Sequence, residues 1–146
     1  MKHFLSIVLI TLFLSCSNNN VVRNPYLQEV NFQFQMNLNL PLYSNLTNIG
    51  SIVFVDNPGV GIKGVYVIQS GIDQFRAFEA TCPNHIVSDC STTELSGIEA
   101  TCSCEDYTYN LFTGQLTNAP DDGERRYDML EYNARRSGNT VVISNN

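Results

Sequence analysis

The chain has 146 residues, 43% of them hydrophobic and none of them Trp, with a formal net charge of −6. That length holds one domain plus a leader, and its core must be built from Phe, Tyr, Ile, Val and Leu. The acidic balance excludes a nucleic-acid partner, because gripping phosphates takes a basic stripe, and Arg125-Arg126 and Arg135-Arg136 are isolated pairs on solvated faces.

Lys2 and His3 precede an apolar run, Phe4 to Leu14, broken only by Ser6 and Thr11. The run is too short to cross a bilayer as a helix and stands where a secretory signal belongs. Leu12-Phe13-Leu14-Ser15-Cys16 resembles the bacterial lipoprotein signal. The resemblance implies a signal over 1–16 ending at a lipidated Cys16, a polar tether over 17–30 and a domain over 31–146. It also implies an exported protein whose acyl chains anchor it to a membrane, on the periplasmic or outer-membrane side. Disulfides persist outside the cytoplasm. The remaining cysteines, Cys82, Cys90, Cys102 and Cys104, therefore suit two disulfides, or one disulfide and two metal ligands.

Asn31 to Leu40 alternates strictly: Phe32, Phe34, Met36, Leu38 and Leu40 on one side, polar residues on the other. Period two over ten residues predicts a strand with one buried face, stopped by Pro41. Leu42 to Ile49 is ambiguous. Ile52 to Val55 and Val65 to Ile68 are short apolar strands, separated by the turn chemistry of Asp56-Asn57-Pro58-Gly59. Phe75 to Phe78 leads into a first Cys loop, and Ile98 to Thr101 leads into a second. Tyr107, Tyr109 and Leu111 alternate out of the second loop, and Thr113-Gly114 turns the chain towards Gln115 to Thr117. Met129 to Ala134 pairs with Thr140 to Ser144 across Ser137-Gly138-Asn139. Short strands with turns at this spacing predict an all-β, antiparallel sandwich or barrel-like domain.

The chemistry concentrates in the two loops, Thr81-Cys82-Pro83-Asn84-His85 and Thr101-Cys102-Ser103-Cys104-Glu105. Cys82 and Cys102 each end a strand. His85 and Glu105 each follow three residues after a Cys, so each loop can curl back and present a second donor beside its sulfur. There is no hydrolase triad, no phosphate-cradling Gly loop and no helix-borne metal motif, so a stand-alone enzyme is not indicated.

The pair of loops resembles the Rieske iron–sulfur domain, in which a Cys-x-His loop and a Cys-x-x-His loop hold a 2Fe–2S cluster, two Cys on one iron and two His on the other. The likeness runs from about residue 60 to residue 144. It includes Phe75-Arg76-Ala77-Phe78 before the first loop, Tyr107-Thr108-Tyr109-Asn110 and Thr113-Gly114 after the second, and Asn118-Ala119-Pro120 at the place of a proline-containing loop over the cluster. It implies a small antiparallel β fold with both Cys loops at one end. Cys82, His85, Cys102 and Glu105 are then the metal ligands, and Cys90 and Cys104 a bracing disulfide. The protein would be a single-electron carrier serving a redox partner. Two positions depart from the pattern: Asn84 stands where the first His falls, with His85 one place later, and Glu105 replaces the second His. A carboxylate is a harder, anionic donor and would lower the reduction potential. A second arrangement keeps the scaffold without a cluster, with Cys82–Cys102 and Cys90–Cys104 as two disulfides and a binding or structural role in the envelope. A third is a zinc ion held by Cys82, His85, Cys102 and either Glu105 or Cys104.

Overall fold

The computed structural model describes residues 23–145, so the expected leader, the lipidated Cys16 and the start of the tether lie outside the described residues. The described chain is all-β and antiparallel, with two short 3-10 turns and no α-helix among the described residues. Six strands form one sheet in the order β1 (Gln33–Asn37), β9 (Thr140–Ser144), β8 (Glu131–Ser137), β4 (Gln74–Glu79), β3 (Val65–Gly71), β2 (Ile52–Val55). A smaller sheet runs β5 (Thr93–Ser96), β6 (Glu99–Cys102), β7 (Thr108–Asn110). Both Cys loops grow from the same end of this assembly, the plan that the sequence resemblance implies.

Why β3 and β4 are covered on both faces can be read from their residues. Val65, Val67, Phe75 and Ala77 point into one core, with Met36, Val53, Val55, Tyr132, Val141 and Ile143. Their alternates Tyr66, Ile68 and Phe78 point into a second core, with Ala100, Tyr109, Leu111, Cys82 and Cys102. Period two puts successive side chains on opposite faces, so a strand covered on both sides must be apolar at every position. That is the run Val65-Tyr66-Val67-Ile68.

The first strand is shorter than its alternation predicts. Pairing with β9 covers Gln33 to Asn37 only. The Asn39 amide donates to Asn37 Oδ1 at 3.0 Å, an Asx turn that bends the chain before Pro41 is reached. Leu38 is still buried, but Leu40 is 50% exposed. The ambiguous stretch becomes a 3-10 turn, Ser44–Thr47, which drops Leu46 into the first core. Gln115 to Thr117 contributes one isolated bridge, Tyr109 to Leu116, instead of a strand. The segment expected to be tether already packs against the domain: Leu27 is buried, and Tyr26 meets the Tyr127 ring edge-on.

The end of β4 carries a fully buried acid, Glu79. Five donors converge on it. Ile62 N and Tyr132 Oη donate to Oε2, both at 2.7 Å. Lys63 N, Thr81 N and Thr81 Oγ1 donate to Oε1 at 3.0, 3.0 and 2.6 Å. Burying a carboxyl group is tolerable only when its oxygens are fully engaged. Here the engagement ties β8, the 61–64 loop and the entry to the first Cys loop to one point.

Candidate metal and redox centre

The first Cys loop is closed at its own neck. Thr81 bridges Thr92, Cys82 N donates to Ser91 O at 2.7 Å, and Thr93 N donates to Ala80 O at 2.8 Å. Inside the neck, Ser88 and Ser91 form a reciprocal capping pair around the 3-10 turn Asp89–Ser91. The second loop is a tight turn between β6 and β7. Asp106 N donates to Cys102 O at 2.9 Å and Cys102 N to Tyr107 O at 2.8 Å, with Asp106 in the left-handed region at φ 58°. Asn118 holds it from outside, accepting from Thr108 N and donating to Asp106 O, both at 2.8 Å. The 118–120 stretch therefore braces the second loop.

Two disulfides join the loops. Cys82 and Cys102 are bonded, with Cα atoms 5.7 Å apart and neither residue exposed. Cys90 and Cys104 are bonded, with Cα atoms 5.5 Å apart. Cys90 is exposed and Cys104 half-buried. The inner pair thus takes the disulfide form of the two arrangements that the sequence allows, with its sulfurs bonded to each other rather than free as ligands.

His85 and Glu105 both turn towards the inner pair. His85 Nε2 lies 3.6 Å from Cys102 Sγ and 3.5 Å from Glu105 Oε2, and Glu105 Oε2 lies 3.0 Å from Cys102 Sγ. Donor atoms of Cys82, His85, Cys102, Cys104 and Glu105 all fall within 4.8 Å of one another. The shift of one residue in the first loop has a structural cause. Asn84 turns inward, donating through Nδ2 to Tyr109 Oη and Tyr127 O, each at 2.9 Å, and accepting from Tyr127 N at 2.7 Å. Asn84 is consumed as a clamp, which leaves His85 as the residue that reaches the sulfurs.

His85 Nδ1 lies 2.8 Å from Ile86 O. A carbonyl only accepts, so Nδ1 carries the hydrogen and Nε2 of the neutral ring offers a lone pair to the centre. Three atoms face one another: Nε2, Glu105 Oε2 and Cys102 Sγ. A disulfide sulfur has no hydrogen to place between itself and a carboxylate 3.0 Å away. A thiol hydrogen on Cys102, a proton on Nε2 or a metal ion would each bridge these atoms. Beside them, burial pushes the Tyr109 hydroxyl up to about 12. Its bond from Asn84 opposes that rise and the charge of Glu105 adds to it.

A 2Fe–2S cluster takes four donors from a protein. Two sulfurs, an imidazole nitrogen and a carboxylate oxygen on two facing loops fit it in number and chemistry. They do so in the dithiol form, since thiolate is the ligating state of Cys. No described protein family matches the chain, and no curated protein matches it. Among solved structures it is similar to the complex of reduced oxygenase and oxidized ferredoxin in carbazole 1,9a-dioxygenase, at 24% identity and a TM-score of 0.44, covering 67% of this chain and 83% of that one.

Sequence reasoning pointed to the two loops and to the stretch at Asn118 beside them, but not to Glu79 or to Asn84 as a clamp, nor to the side chain of Asn118 as the group that holds the second loop. The available signal was weak. Asn84 and Asn118 are the polar members of their loops that sit next to a Pro or one residue from it, where side chains often cap the backbone.

Proposed function

We propose that this is a Rieske-like electron-transfer protein whose two-loop tip, in its dithiol state, holds a 2Fe–2S cluster through Cys82, Cys102, His85 and Glu105. The observation that carries the reading is the convergence of His85 Nε2 and Glu105 Oε2 on the Cys102 sulfur. A purely structural disulfide needs neither group. Bound there, the cluster would supply storage for a single electron. The protein's residues do the rest. The buried cysteines keep water from the sulfur side. The Ile86 carbonyl fixes the ring of His85 so that Nε2 points inward. Glu105 adds an anionic donor that favours the oxidised state. On the same reading the chain is exported and anchored through a lipidated Cys16, and its partner is a redox protein.

The test is anaerobic purification of the full chain in detergent, followed by iron and acid-labile sulfide analysis and electron paramagnetic resonance. About two irons and two sulfides per chain are expected, with a reduced-state signal. A colourless protein with no thiols before denaturation would overturn the reading in favour of the clusterless scaffold. That second reading is favoured by one specific observation, the closure of both Cys pairs as disulfides. One zinc per chain would move the centre to a single tetrahedral ion.

A further inference from the structure

The two disulfides differ in access and lie side by side. Cys82 and Cys102 are at 0% exposure. Cys90 is exposed, and Cys104 Sγ lies within 4.8 Å of both inner sulfurs. Glu105 Oε2, 3.0 Å from Cys102 Sγ, also repels any anionic thiolate approaching that sulfur from outside. Direct exchange with the inner bond is blocked, whereas exchange with the outer bond is open.

We propose that the four cysteines form a disulfide relay, in which a dithiol reductant engages Cys90 and its electron pair is passed inward to the Cys82–Cys102 bond. The reductant thiolate attacks Cys90 Sγ; the Cys90–Cys104 bond breaks and Cys104 leaves as a thiolate. Cys104 then attacks Cys82 Sγ, forming Cys82–Cys104 and breaking Cys82–Cys102. Cys102 leaves and takes a proton from solvent. Attack falls on Cys82 because Glu105 Oε2 shields Cys102 Sγ from thiolates, and the released Cys102 thiol hydrogen finds acceptors at Glu105 Oε2 and His85 Nε2, 3.0 and 3.6 Å away. The reductant's second thiol resolves the mixed disulfide and frees Cys90. Cys90 attacks Cys104 Sγ, restoring the outer bond and releasing Cys82 as a thiol. Two electrons move from dithiol to inner disulfide, and the outer bond is regenerated. The relay holds whether or not a metal follows. On the function proposed above, it is the step that frees the ligand sulfurs.

The test reads sulfur connectivity alone, in the full chain in detergent with chelator present, so its failure is distinct from a failure to bind iron. In Cys90→Ser, Cys104 is left as a thiol. Peptide mapping after acid quench and alkylation is expected to find Cys82–Cys104 linked and Cys102 alkylated, with no reductant added. In the wild type, one equivalent of dithiothreitol is expected to give the same Cys82–Cys104 peptide transiently. In Cys90→Ser/Cys104→Ser, dithiothreitol should open the inner bond at least about tenfold more slowly than in the wild type. Cys104 alkylated beside an intact Cys82–Cys102 bond in the single variant would overturn the relay. So would an inner bond that opens as fast or faster once the outer pair is gone, which is what a mere brace predicts. The wild-type mapping decides the matter even where the variants fold poorly.

Discussion

Among the described residues, the side chain that gathers five hydrogen bonds is a buried acid outside both loops, Glu79. Glu79→Ala would strand those donors and should lower unfolding free energy by about 4 kcal/mol, and Glu79→Gln by about 2 kcal/mol, since an amide reverses one acceptor edge. Denaturant titration of both variants checks the order. Sequence reading passes over Glu79 because an acid closing an apolar strand looks like the solvated end of that strand. The two tyrosines near these networks set a pH limit. Burial pushes Tyr109 up to about 12, and burial together with the Glu79 charge pushes Tyr132 up as well. A phenol that ionises less readily folded than unfolded contributes stability that is complete below the ordinary value of 10.0 and is lost as pH rises through the folded value. Stability should therefore fall from about pH 10 to about pH 12. Tyr109→Phe should flatten part of that fall, followed by phenolate absorbance and melting temperature together.

At the scale of elements, legibility followed burial. β3 was legible because both of its faces are covered, and β9 because Val141 and Ile143 alternate with half-buried neighbours. β5 was not, because Thr93 is its one buried residue and Leu95 stands 42% exposed; its place is set by pairing to β6, which no local pattern announces. The alternation from Asn31 to Leu40 overstated β1 because an Asx turn outranks periodicity wherever the backbone can use it. Turns differ in what they tolerate. Gly114 has φ 76°, and a Cβ there would come 2.5 Å from Phe78 Cε1, whereas Gly138 has φ 59° and open space around it. Gly138→Ala should cost about 1 kcal/mol from backbone conformation alone. Gly114→Ala should cost a further 1–3 kcal/mol or so, because Phe78 must be displaced. Thermal melts of the pair separate the two contributions.

Across the whole molecule, β3 and β4 are the common wall of both cores, so neither core can loosen alone. Val67→Ala, on one side, and Ile68→Ala, on the other, should each cost about 2–4 kcal/mol. Each should also shift a single transition seen at the same midpoint by tyrosine fluorescence and by far-ultraviolet circular dichroism; separate midpoints would show two folding units instead. The inner cysteines rest on this wall, in the same core as Tyr66, Ile68 and Phe78. The first Cys loop is shut at its base by Thr81, Thr92, Cys82 and Ser91, and its far part is tied down separately, by Asn84 to Tyr109 and Tyr127 and by Cys90 to Cys104. An insertion between Ile86 and Val87 leaves those ties in place and adds little beyond the slow logarithmic closure term of a longer loop. The tip is in this sense a pinned cartridge: its outer bend can vary in length, while the ties at Asn84 and Cys90 fix where its donors stand.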